Sequence, residues 1–165
     1  MKTNTIQQML FKEFESGAEF SPDRKYRYAL WRIWDKSNPL IMFIGLNPSK
    51  ANELKDDPTI RRVRRFAFDW GYGGVYMMNL FAFVTAYPDK LFQCADPLGD
   101  NDKWLIEISK KCNRIICAWG NFKVKERDRE VRRMFSLAYC LGKNKNGSPK
   151  HPLYIPSETN PIYYE

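Results

Sequence analysis

"LIMFIGLNPSKANELKDDPTIRR", residues 40–62, joins a short apolar run to a Gly-Leu-Asn-Pro-Ser turn and then to a Pro-Thr helix start rich in arginine. Apolar runs of four to eight residues bounded by turn residues read as buried strands. A polar loop at the carboxyl end of such a strand is where open α/β sheets place their ligands. From Thr59 onward, Ile60, Val63, Phe66, Ala67 and Trp70 form one apolar helical stripe, with Pro58 at its start and Gly71 as its stop. The same spacing predicts Arg61, Arg64 and Arg65 together on the opposite, outer face.

The pattern continues on both sides. "YRYALWRIW" at 26–34 has strand composition, with Arg27 and Arg32 interleaved among aromatics and Ile. "GGVYMMNLFAF" at 73–83 reads as a strand running into a loop at Asn79. A helix built on Trp104, Leu105, Ile108 and Cys112 leads to the buried strand "RIICAWG". Another helix follows with Val124, Val131, Phe135 and Ala138 inward, then a short strand at about 137–141 and the turn-rich "GKNKNGSPKHPLY". Strands alternating with helices predict an α/β fold with a mostly parallel central sheet and helices on both faces. The loops after "FIG", "YMMN", "CAWG" and "YCLG" would then share the carboxyl edge of the sheet. Asn47, Ser49, Asp57, Asn79 and His151 should converge there, with Gly45 lining the same pocket.

No repeat, low-complexity tract or linker divides the 165 residues, so 1–165 reads as a single α/β domain. Within it, 1–20 is expected to be an N-terminal helical segment, with Ile6, Met9, Leu10 and Phe14 at helical spacing. The stretch 150–165 is expected to be a C-terminal loop and tail. A content of 44% hydrophobic and 15% aromatic residues argues against disorder. The longest apolar run is too short to span a bilayer, and residues 1–20 lack the apolar core of a signal peptide. A soluble, cytoplasmic protein without a membrane partner is expected.

Net charge is +8, from 27 basic and 19 acidic residues, and the excess lies in "RRVRR" at 61–65 and "KVKERDREVRR" at 123–133. Such blocks fit either solvated helix faces or a phosphate-binding surface. Cys94, Cys112, Cys117 and Cys140 form no C-x-x-C pair, and His151 is the single histidine, so buried thiols are expected rather than a metal site. No Walker lysine and no G-x-G-x-x-G motif occur, and a Ser49–His151–Asp57 triad lacks a nucleophile elbow. No cofactor is implied. Asn47 and Asn79 each offer donor and acceptor together, which suits reading the edge of a planar base or positioning a water.

"FIGLNPSKA", "DDPTIRR", "WGYGGVYMMNLFAF", "DPLGDND", "AWG" and the closing "CLGKNKNGSPKHPLY" resemble a bacterial and phage family catalogued as domain of unknown function 1643. The resemblance spans about residues 26–154, and the family's name implies no activity. The motif order is also similar to that of the uracil-DNA glycosylase superfamily. There, a Gly-x-Asp/Asn-Pro loop positions the attacking water, a strand-end asparagine reads the uracil edge, and a late His-Pro loop steadies the leaving base. That resemblance implies a uracil-DNA-glycosylase-like fold with Asn47 as the water-positioning residue, Asn79 as the base reader beside Gly45, and His151 as the electrostatic partner. The chain departs from the pattern in lacking the Asp-Pro-Tyr-His form and the serine-rich continuation of the His-Pro loop. "DDPTIRR" has no counterpart in those enzymes.

The expected function is therefore hydrolysis of an N-glycosidic bond in DNA or a nucleotide. Asn47 or Asp57 would orient water, and His151 would stabilise the departing base. The rival expectation is a non-catalytic nucleic-acid or nucleotide binder, because an asparagine at position 47 cannot act as a general base. A third is a metal-dependent nucleotide-modifying enzyme using Asp57, magnesium and the Arg61–Arg62 pair. Oligomeric state is not readable from these residues.

Overall fold

The strand at the centre of the fold is Leu40–Gly45, β3, and it carries the two-residue alternation that two cores require. Ile41 and Phe43 enter one apolar cluster, Met42 and Ile44 the other, and all four side chains are fully buried. In the computed structural model, which describes residues 15–124 and 126–165, seven strands form one sheet in the order β1-β2-β4-β3-β5-β6-β7. The strands are β1 (Glu15–Phe20), β2 (Arg27–Ile33), β3, β4 (Gly74–Asn79), β5 (Arg114–Cys117), β6 (Tyr139–Cys140) and β7 (Ile162–Tyr163).

Helices cover both faces, as expected. One face packs on α1 (Pro58–Asp69) through Ile60, Val63, Phe66 and Ala67. The other packs on α3 (Asn101–Ser109) through Leu105 and Ile108, and on α4 (Arg127–Met134) through Val131. A short α2 (Asp89–Gln93), absent from the expectation, buries Leu91 on that second side. α1 starts where the sequence places it: the Asp57 carboxylate accepts the Ile60 N–H at 2.9 Å and Pro58 opens the first turn.

The sheet is mixed rather than mostly parallel. β4, β3, β5 and β6 run parallel to one another, but β1–β2, β2–β4 and β6–β7 are antiparallel, three pairings of six. The physical reason is connection length. β1 and β2 are separated by only the turn at 21–26, and a parallel pair needs a crossover of a dozen or more residues.

Both termini also correct the expectation. Residues 15–20, assigned to an N-terminal helical segment, form β1, while the helical stripe at 4–14 lies outside the described residues. The stretch 150–165 is more than loop and tail. It holds a 3-10 turn (Pro152–Tyr154), and β7 pairs with β6 while Tyr164 is buried against Trp119. The helix expected through Cys112 ends at Ser109, and the strand expected through Gly120 stops pairing at Cys117. Among the described residues no helix is long and apolar enough to cross a membrane.

Candidate functional site at the carboxyl edge of the sheet

β3 and β4 are paired in register, and Gly45 lies opposite Asn79 at their carboxyl ends. A Cβ on Gly45 would sit 2.7 Å from Met77 Cε and 2.9 Å from Asn79 Oδ1. The glycine therefore makes the space in which the Asn79 amide lies. Beyond this pair the chains continue side by side, with the N–H of Leu80 on the Gly45 carbonyl and that of Phe81 on the Leu46 carbonyl. Asn101 and Arg127 lock the turn from the far side. Asn101 Nδ2 donates to the carbonyls of Asn79 (2.9 Å) and Leu80 (3.0 Å), and Arg127 Nε donates to Leu80 (2.8 Å).

A cavity of about 200 Å³ opens at this edge. Gly45, Asn47, Ser49, Asp57, Asn79 and His151, the six residues expected to converge, all line it. Pockets enclosing drug-sized ligands run from roughly 300 to 1,000 Å³. This one lies at the small end and matches a planar ring with a compact polar group beside it. A larger and more open cavity of about 420 Å³ lies beyond Phe122, against α4 and Tyr164, and none of the six lines it.

The polar groups in the small cavity differ in how committed they are. Asn47 Nδ2 is engaged by backbone carbonyls, Pro48 at 2.9 Å and Thr85 at 2.8 Å, with Phe83 at 3.5 Å. That fixes the amide plane and leaves Oδ1 as the group with capacity to spare. The Asn79 amide is nearly buried and makes no hydrogen bond with the described residues, so both its donor and its acceptor are available to a ligand. His151 Nδ1 accepts the Leu153 N–H at 3.2 Å, which places the proton of the neutral ring on Nε2. Burial pushes the His151 pKa down, and the Asp57 carboxylate pulls weakly the other way. The neutral, donating ring is thus the form favoured at pH 7.

Two further elements hold the His151 loop in place. Arg62 reaches from α1 to the carbonyls of Pro152 (Nε, 3.3 Å) and Ile155 (Nη2). Gly120, at φ 79°, lets its loop approach His151, whose Cβ would lie 3.4 Å from an added methyl group. Phe122 of the same loop lines the cavity and is 43% exposed, offering a ring on which a base could stack.

The basic face of α1 is smaller than the spacing suggests. Arg61 and Arg65 are exposed, and Arg65 pairs with Asp69 at 3.0 Å. Arg64 is only 8% exposed and donates to Asp56 at 2.5 Å, which also receives Arg32 Nε at 2.9 Å. At 100° per residue Arg64 falls 40° past Ile60, at the border of the apolar stripe, so it turns inward to the carboxylate. None of Arg61, Arg64 and Arg65 lines the cavity. Arg62 is held by carbonyls, so an Arg61–Arg62 phosphate clamp is not available in this conformation.

Among the described residues no group of three or more His, Cys, Asp or Glu side chains is placed to hold a metal ion. Burial pushes the Cys112 and Cys117 thiols up to about 12, which makes them poor nucleophiles.

The sequence pattern assigns none of Arg27, Asn101, Arg127 and Phe122 to the site, and it offers Arg62 as a phosphate ligand rather than as the clamp on the His151 loop. Arg27 is the one with a readable signal, a charge in a strand otherwise apolar and aromatic. The others act from positions whose spatial neighbours only the fold reveals.

Fold and cavity together define a mixed α/β protein with a small polar pocket at the carboxyl edge of its parallel strands. The family profile described as "Protein of unknown function (DUF1643)" matches residues 27–153, well over half the chain, and the protein belongs to that family. No curated protein and no solved structure matches the chain, so the likeness to uracil-DNA glycosylases rests on the order of its motifs.

Proposed function

We propose that the cavity binds a nucleobase and that the protein hydrolyses its N-glycosidic bond in DNA or in a nucleotide. The observation that carries this reading is the division among three side chains in one small pocket. Asn79 has an uncommitted amide, Asn47 has an amide fixed by its nitrogen, and His151 has a donor at Nε2. Asn79 pairs with donor and acceptor on the base edge. Asn47 Oδ1 holds a water against the anomeric carbon. As the water oxygen bonds to that carbon, the carbon–nitrogen bond breaks and its electron pair leaves with the base. His151 Nε2–H then donates to the oxygen on which negative charge builds, an interaction stronger in the transition state than in the ground state. The Asp57 carboxylate, in the same cavity, accepts the proton released by the water.

A non-catalytic nucleotide or nucleic-acid binder is supported by one specific observation. Asn47 holds three backbone carbonyls and is an amide, so its role can be wholly architectural. Release of free base from labelled substrates carrying uracil or modified pyrimidines, with EDTA present, separates the two. The glycosylase reading expects release by the wild type, and loss of release in Asn47→Ala with substrate affinity within a few-fold. Binding without release by the wild type leaves the binder. Release that requires divalent metal moves the chemistry to Asp57 and a metal ion.

A further inference from the structure

Four arginines of the described residues are buried at 8% exposure or less: Arg27, Arg32, Arg64 and Arg127. Three have carboxylate partners, Asp56 for Arg32 and Arg64, and Asp102 and Glu130 for Arg127. Arg27, 3% exposed, has none among the described residues. Its Nη1 donates to the Ala51 carbonyl at 3.0 Å, and its Nε has no hydrogen-bond partner among the described residues. A buried cation with an unused donor is costly, because burial removes water and nothing replaces it.

The backbone places this side chain on purpose-built geometry. Glu19 pairs with Ala29, but Phe20 pairs with Arg27, so Tyr28 is an extra residue in β2. That bulge keeps Tyr28 on the α3 side, stacked on Trp104, and turns Arg27 to the α1 side, the face of Leu30 and Arg32. β2 runs antiparallel to β4, so its first residue lies at the carboxyl edge of the parallel strands. Arg27 thereby lines the same cavity as Asn79 and His151, together with Thr59 and Ile60 from the first turn of α1. Asp57, also in the cavity, acts on Arg27 through space but lies outside ion-pair distance, and its Oδ1 is engaged with the Ile60 N–H.

We propose that Arg27 is an oxyanion subsite of this cavity and takes the phosphate group of the ligand whose base Asn79 reads. The naming of phosphate rests on the nucleotide reading above, while the anion site itself rests on Arg27. A planar guanidinium with an unused donor suits a phosphate oxygen. The group can come from a free nucleotide or from the backbone of a strand whose base enters the cavity.

The test titrates the full chain, at fixed ionic strength, with deoxyuridine, deoxyuridine 5′-monophosphate, inorganic phosphate and a short uracil-containing single strand. Wild-type protein should bind the monophosphate or the strand about ten-fold or more tightly than the nucleoside, a gain of the size that a charge-assisted pair supplies. Arg27→Met should abolish that gain and leave nucleoside affinity within about two-fold, and Arg27→Lys should keep part of it. An Arg27-dependent gain for the strand alone assigns the phosphate to DNA, and a gain for the monophosphate assigns it to a free nucleotide. Arg27-dependent stabilisation by inorganic phosphate, with no nucleoside bound, upholds the subsite and removes the nucleobase reading. Equal affinity of wild-type protein for all of these ligands overturns the proposal. So does an undiminished gain in Arg27→Met, or, if that variant does not fold, in Arg27→Lys together with no thermal shift of the wild type in phosphate.

Discussion

Asp56→Ala removes a carboxylate that Arg32 and Arg64 share. Arg32 is 1% exposed, and without Asp56 it still donates to the carbonyls of Asn52 at 2.6 Å and Trp31 at 2.9 Å. Removing one partner of a buried ion pair costs about 3–5 kcal/mol. The Asp56 side chain is itself partly exposed at 14%, which allows water in and places the expectation near the lower end, about 3 kcal/mol. At roughly 2–4 °C per kcal/mol for a domain of this length, the melting temperature should fall by about 6–12 °C. Urea unfolding followed by tryptophan fluorescence reads the same loss as a lower midpoint at unchanged slope. Asp56→Asn, which keeps the shape and an acceptor, should lose most of that stability, showing that charge rather than packing is responsible. A loss under about 1 kcal/mol in both variants, the size of an exposed pair, would refute the buried network and return Arg64 to the outer face of α1.

Two other expectations concern pH and salt. His151 has a folded pKa below its unfolded value near 6.5, so the unfolded chain binds more protons as pH falls below about 6.5. Its stabilising contribution is present above that pH and lost as pH drops toward the folded pKa; melting curves of His151→Gln should be flatter than wild type in this window, and identical slopes would contradict the burial of the ring. Arg61→Gln/Arg65→Gln should weaken oligonucleotide binding and reduce the slope of log K against log salt by up to about 1–2, whereas an unchanged slope makes these two arginines a solvated face only.

How much of this was readable follows from which forces are local. β3, α1 and the Gly45–Asn79 edge announce themselves because apolar alternation, the Asp57-Pro58 cap and the Gly71 stop act within a few residues. Their parallel pairing then brings Asn47, Asn79 and His151 to one edge, which the alternation of strand and helix signals already implied. The flanks were illegible for the opposite reason. β1 carries no apolar alternation in "ESGAEF", and β7 is two residues long, so pairing with a neighbour makes them strands. Arg64 shows the limit of helical spacing, since its 40° offset from Ile60 leaves it free to turn either way and Asp56 decides. Arg27 shows a different limit. A bulge of one residue reverses the face a side chain occupies, and no periodicity announces it.

If the cavity receives a planar base as proposed, Asn79 is the side chain that reads it. Calorimetric titration of free uracil and related pyrimidines into wild-type protein and Asn79→Ala tests it without depending on turnover. Measurable binding to the wild type is expected, weakened in Asn79→Ala by about 1–3 kcal/mol for the loss of a donor–acceptor pair, or roughly 5- to 150-fold. No binding of any pyrimidine or purine base to the wild type, or equal binding by Asn79→Ala, would contradict it.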